Sequence, residues 1–145
     1  MVAKLRNAFI LLLLSAAIFT IQAGEKDETA DATPAVIAVK FHADWCGSCK
    51  AMGGVFEELQ AKFDTQPVLY VTLDHTRDFN RQQSKFMAQS LGLDNVWAKY
   101  GGKTGFILLI DGNTREVLGT FKSTQTLKQM GAELTAIVDK ITDAG

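Results

Sequence analysis

Cys46 and Cys49 are the two cysteines of the chain, and Gly47 and Ser48 stand between them. They lie in the run Phe41-His42-Ala43-Asp44-Trp45-Cys46-Gly47-Ser48-Cys49-Lys50. The residues before this run are apolar and rich in Val and Ile, as a buried strand is. Those after it repeat apolar side chains at helical spacing. The pair therefore sits where a strand gives way to a helix. The first turn of a helix presents unpaired N–H groups and partial positive charge. Both favour a thiolate on Cys46, whose pKa should fall below the free thiol value of ~8.5. Such a thiolate can attack a disulfide in another molecule. Cys49 is then placed to attack the mixed disulfide and release the partner. Trp45 can shield one side of the pair and offer a partner an apolar contact.

Two other chemistries use the same spacing. A Cys-x-x-Cys can be half of a metal site, and soft thiolates suit Cu(I) or Zn(II). His42, His75 or nearby acids would have to complete the ligand set. The pair could also be an inert staple, but so short a loop constrains the unfolded chain little. The position after a strand and at a helix start, with Trp immediately before, favours the redox dithiol. His42 is open to three roles: favouring the thiolate, ligating a metal, or forming the site's wall. His75 reads as a solvated loop residue and Asp44 as an exposed neighbour of the site.

The elements that must position the pair can be read along the chain. Residues 35–41 form the first strand. Lys50 to Phe63 reads as a helix carrying Met52, Val55, Phe56, Leu59 and Phe63 inward, with a bend at Gly53-Gly54. Val68 to Leu73 is a second strand. Thr76 to Leu91 reads as a polar helix with Phe79, Phe86, Met87 and Leu91 on its apolar side. Phe106 to Ile110 and Arg115 to Phe121 are two strands joined through the turn Asp111-Gly112-Asn113. Ser123 can cap a last helix whose inner face is Leu127, Met130, Leu134, Ile137, Val138 and Ile141. The order is β-α-β-α-β-β-α. The helical connection makes the first two strands parallel, and the tight turn makes the last two antiparallel. The expected fold class is α/β, a mixed four-stranded sheet flanked by helices.

With these residues in view, the stretch 39–50 and the helix after it resemble the active-site region of the thioredoxin superfamily. Ala43-Asp44-Trp45-Cys46 followed by Cys49-Lys50 is similar to its periplasmic branch. The resemblance extends as a pattern over residues 35–142. It implies a thioredoxin-like fold, Cys46 as nucleophile and Cys49 as resolving thiol. Three departures stand out. The family keeps a buried acid six residues before the nucleophile, where this chain has Lys40. Lys40 is expected to run its amine out to water; near the thiols its charge would favour the thiolate. The family also places a cis-proline opposite the dithiol, before the third strand. The prolines here are Pro34 and Pro67, and Thr104-Gly105 is the matching position. A trans peptide is expected before Gly105, with Thr104, Gly105 and Trp45 as the substrate-binding residues. The family's proline helps keep metal off the thiols, so its absence leaves the Cu(I)/Zn(II) reading open. Finally, the stretch 74–105 is longer than in a minimal thioredoxin. Its Trp97 and Tyr100 either shape a partner groove or cap the core.

The N-terminus reads as an address. Lys4 and Arg6 precede an apolar run from Ala8 to Ile21, followed by Gln22-Ala23-Gly24 and the acidic stretch 25–31. That is the pattern of a secretory signal, and the run is short for a bilayer span of ~20 residues. The expected organisation is a signal peptide over 1–23, a flexible leader over 24–34 and a thioredoxin-like domain over 35–145. The expected location is periplasmic, with tethering by an uncleaved signal as the alternative.

The whole chain has 145 residues, 47% of them hydrophobic, 15 basic and 16 acidic side chains, and a net charge of -1. This length suits one domain. The apolar fraction argues against a disordered chain. The charge balance argues against nucleic-acid partners. Two cysteines exclude both a disulfide-dense scaffold and a four-cysteine zinc site. The function expected is an exported thiol-disulfide oxidoreductase, reducing by preference. It would act as a monomer on protein disulfide or dithiol partners, draw electrons from a membrane donor and need no cofactor. The alternative is a metallochaperone-type module built on the same cysteines.

Overall fold

The computed structural model describes residues 33–143; the segment read as a signal peptide and nearly all of the leader lie outside the described residues. Among the described residues the order is β1 (Val36–His42), α1 (Gly47–Met52), α2 (Val55–Lys62), β2 (Val68–Asp74), α3 (Asp78–Ser90), α4 (Asp94–Tyr100), β3 (Phe106–Asp111), β4 (Val117–Lys122) and α5 (Leu127–Thr142). The strands form one sheet in the order β2-β1-β3-β4. β1 is parallel to β2 and antiparallel to β3, and β3 is antiparallel to β4. This is the thioredoxin-like α/β fold, with the strand directions that the connections require.

Strand β1 is central, and every one of its residues from Val36 to Phe41 is buried. A strand covered on both faces has no need of polar alternation, which is why the sequence there is a continuous apolar run broken by Lys40. Its side chains still divide by face. Val36 and Ala38 join Ile107, Leu109 and Phe121 against Phe56 and Leu59 of α2 and Met130, Leu134 and Val138 of α5. Ile37, Val39 and Phe41 join Val71, Leu73, Leu108 and Ile110 against Ala88 of α3 and Val96 of α4.

Three local expectations need correction. The helix expected over 50–63 is two helices, because Gly53 takes a left-handed φ of 56° and its N–H closes α1 on Cys49 O and Lys50 O. A side-chain-bearing residue adopts that conformation only at a cost. The last helix is capped by Thr126, not Ser123: its hydroxyl and the Gln129 side chain form a reciprocal capping box. Most notably, α3 faces the other way. Its buried residues are Ser84 and Ala88, and Ser84 Oγ donates to Asp74 O at 2.8 Å. Phe79 (72% exposed), Phe86 (59%) and Met87 lie in solvent. Small residues let the helix sit close to the end of β2, and that close fit prevails over the aromatic stripe.

Candidate functional site

Cys46 is the N-cap residue of α1, in extended backbone conformation, and its Sγ accepts the N–H of Cys49 at 3.1 Å. The two cysteines are joined as a disulfide, with Cα atoms 5.2 Å apart. Cys46 is 7% exposed and Cys49 5%. Cys49 Sγ lies 3.7 Å from Phe41 O. Once reduced, a Cys49 thiol has an acceptor there, while a Cys46 thiolate would keep a backbone N–H donor. A hydrogen-bond donor at Cys46 and an acceptor at Cys49 suit an anionic sulfur at the first position and a protonated one at the second.

The loop before the pair is tied to the end of β2 by a residue the sequence did not single out. Thr76 Oγ1 accepts the N–H of Asp44 at 3.1 Å and donates to Asp74 Oδ1 at 2.5 Å. Its own N–H donates to the same carboxylate oxygen at 2.8 Å. Its carbonyl accepts the Trp45 indole Nε1–H at 3.2 Å. Trp45 is thus oriented although 64% of it is exposed. Partial burial pushes the Asp74 carboxyl up, but the two hydrogen bonds from Thr76, with His42 and His75 nearby, outweigh it and hold the group below the usual carboxylate range. A Thr two residues after an Asp at a strand end is the signal that could have found this clamp.

Gly105 lies directly over the disulfide. Its N–H donates to Phe41 O at 2.8 Å, and its φ is 92°. A Cβ at this position would lie 2.6 Å from Ser48 Cβ and 3.2 Å from Cys46 Sγ. The Thr104–Gly105 peptide is trans, and no cis peptide bond occurs among the described residues. Thr104 stands across a hollow from Trp45. Trp45, Thr104 and Gly105 therefore surround the dithiol.

The remaining candidates fall on its flanks. Lys40 does not run its amine out to water. It is buried, its Nζ donates to Glu57 Oε1 at 3.0 Å, and it lies 5.3 Å from the Phe56 ring centroid. Partial burial raises the Glu57 carboxyl, but the hydrogen bond and charge of Lys40 prevail and lower it. His42 pairs with exposed Asp44, Nε2 to Oδ1 at 3.2 Å. His75 is not a solvated loop residue. It is buried, with its ring 5.8 Å from Phe41 and 5.2 Å from Trp97 between centroids. Burial, helped by the Arg81 charge and opposed by Asp74, lowers its pKa. Tyr100 packs on Phe106 at 5.9 Å and also lines a groove beside Gly105, so it caps the core and shapes a surface at once. Among the described residues, no three His, Cys, Asp or Glu side chains are grouped to hold a metal ion.

The thioredoxin family model matches residues 19–88. A thioredoxin H-type of Picea mariana is 46% identical over 46 residues, which cover 32% of this chain and 37% of that protein. A thioredoxin-like protein of Fusarium culmorum is 41% identical over 49 residues, 32% of this chain and 40% of that one. Each alignment spans less than half the length of these curated relatives. A structure of MTB dsbF, in mixed oxidized and reduced forms, superposes with a TM-score of 0.48 at 16% identity, over 72% of this chain and 81% of that one. The matched model, the strand order β2-β1-β3-β4 and the Cys46–Cys49 pair at the start of α1 make this chain thioredoxin-like.

Proposed function

We propose that this chain is an exported thiol-disulfide oxidoreductase that reduces disulfides in protein partners. The observation that carries the proposal is the asymmetry of the pair: Cys46 Sγ accepts a backbone N–H at 3.1 Å, while Cys49 Sγ faces a carbonyl oxygen at 3.7 Å. Nucleophilic attack on a partner disulfide then belongs to Cys46 rather than Cys49. Cys46, as thiolate, forms a new S–S bond with one partner sulfur, and the other leaves as thiolate. Cys49 loses its proton and attacks Cys46 Sγ, which releases the first partner sulfur as a second thiolate. Two electrons pass to the partner, and Cys46–Cys49 is left oxidised. A dithiol protein at the membrane is the class of donor that would restore it. Export rests on the basic start and apolar run of residues 4–21. The proposal takes the working form to be a monomer.

The test is trapping. In the reduced protein, Cys49→Ser should accumulate mixed disulfides with partner proteins through Cys46, and Cys46→Ser should trap none and lose turnover. Absence of mixed disulfides in Cys49→Ser would overturn the proposal. Stoichiometric Zn(II) or Cu(I) in reduced wild-type protein, absent from Cys46→Ser, would replace it with the metal-binding reading.

A further inference from the structure

The dithiol lies between two hollows, and cations predominate in both. On the Gly105 side, a groove of about 470 Å³ has Ser48, Tyr100 and Phe106 in its lining. Lys103 and Lys122 complete its rim, and no carboxylate residue lines it among the described residues. The amine of Lys103 lies 5.6 Å from the Tyr100 ring centroid, and that of Lys99 lies 5.1 Å from it. On the Trp45 side, a hollow of about 260 Å³ is lined by Arg77 and Arg81 together with Thr104 and one acid, Asp78. The other acids close by are engaged, Asp44 with His42 at 3.2 Å and Asp74 with the N–H and hydroxyl of Thr76. The chain as a whole carries a net charge of -1, so this cationic surround is local and not a reflection of composition.

We infer that the preferred substrate is a disulfide whose cysteine lies in an extended acidic segment, with carboxylates on both sides of the attacked sulfur. This inference rests on the exchange reading above and names the substrate class of that site. A chain passing over Cys46 between Trp45 and Gly105 has one arm in each hollow. Lys103 and Lys122 meet carboxylates on one arm, and Arg77 and Arg81 meet them on the other. The absence of a side chain on Gly105 keeps the first arm's path open next to Cys46 Sγ, where a Cβ would lie 3.2 Å away. Opposite charges facing each other across such a surface raise the encounter rate and reject basic segments. Salt weakens the effect, because these side chains are near water.

The experiment compares synthetic peptides, each with one cysteine capped as a disulfide with 2-mercaptoethanol. One carries two Asp or Glu on each side of the cysteine, one carries Ser and Gly there, and one carries Lys. Reduced protein, regenerated by dithiothreitol, donates two electrons per capped peptide and releases the peptide thiol and 2-mercaptoethanol. The acidic peptide should be reduced about tenfold faster than the neutral one at low ionic strength, through KM, and the basic one more slowly still. At ~0.5 M salt the spread should shrink several-fold. In Lys103→Ser/Lys122→Ser the acidic-to-neutral ratio should fall toward one. Equal rates for the three peptides, or a preference for the basic one, would overturn the inference. Hydroxyethyl disulfide, small and uncharged, separates the two readings. If it is reduced while the peptides are not distinguished, only the charge inference fails. If it is not reduced, the exchange reading fails and takes the inference with it.

Discussion

The position Gly105 leaves empty is within 3.2 Å of Cys46 Sγ, and the Gly105 backbone has a φ of 92°. Gly105→Ala therefore meets two penalties, a left-handed conformation and a crowd formed by Ser48 and the sulfur. A loss of about 1–2 kcal/mol in chemical denaturation is expected. Gly105→Pro should be worse, about 3 kcal/mol or more. Proline requires φ near −65° and removes the N–H that donates to Phe41 O at 2.8 Å. Restoring the superfamily's residue should thus damage this protein; a Gly105→Pro variant as stable as wild type would refute the account.

Thr76 links the Asp44–Trp45 loop to Asp74. Thr76→Val keeps the shape and removes the hydroxyl. It should cost about 1 kcal/mol and move the Asp74 carboxyl upward, since burial remains and one hydrogen bond is gone. Trp45 fluorescence should change with it. Carboxyl titration by NMR and an emission spectrum would check both, and an unmoved Asp74 would contradict the clamp.

His75 is held neutral by its surroundings, so folding opposes its protonation. As pH falls, the unfolded chain binds this proton first. The stability His75 permits is therefore complete above about pH 6.5 and declines as pH drops from there toward its depressed native value. His75→Phe, which keeps the ring contacts to Phe41 and Trp97, should flatten the stability profile below about pH 6.5 relative to wild type. Parallel profiles for the two proteins would dismiss this role.

Phe79 and Phe86 look like core residues in the sequence and are solvated in the fold. Phe79→Gln and Phe86→Gln should each change stability by less than about 0.5 kcal/mol. Ala88→Leu, on the face that meets the core, should cost about 1–3 kcal/mol. A reversed ranking in urea melts would mean that α3 is rotated about its axis.

The α3 case shows where sequence reading stopped. For β1, β3 and α5 the apolar spacing matched the buried face, because these elements are covered by large side chains on a broad contact. On α3 the contact is narrow, and its occupants are Ser84 and Ala88, which carry little hydrophobic signal. The same limit applied at the site. Cys46, Cys49 and the gap left by the missing proline were legible as residue types at fixed spacings. Thr76 was not, since its partners Asp44 and Trp45 lie more than thirty positions away in the chain. Nor was the partner of Lys40, which comes from the facing turn of α2. His75 was misread because Asp74 beside it suggested a loop, whereas Trp97 folds over its ring.

Strand β1 is anchored at both ends. At its start, the N–H groups of Ala35 and Val36 donate to Pro67 O at 2.8 and 3.2 Å. At its finish, Phe41 O and His42 O receive the N–H groups of Gly105 and His75 at 2.8 and 2.7 Å. At ~3.3 Å per residue the two ends are separated by roughly 20 Å. The dithiol occupies the finish, whereas residues 33–35 lie at the opposite extremity. A handle attached on that side, whether a carrier protein or a solid support, leaves the reactive sulfurs facing outward. Protein immobilised by such a handle should work as fast as protein free in solution.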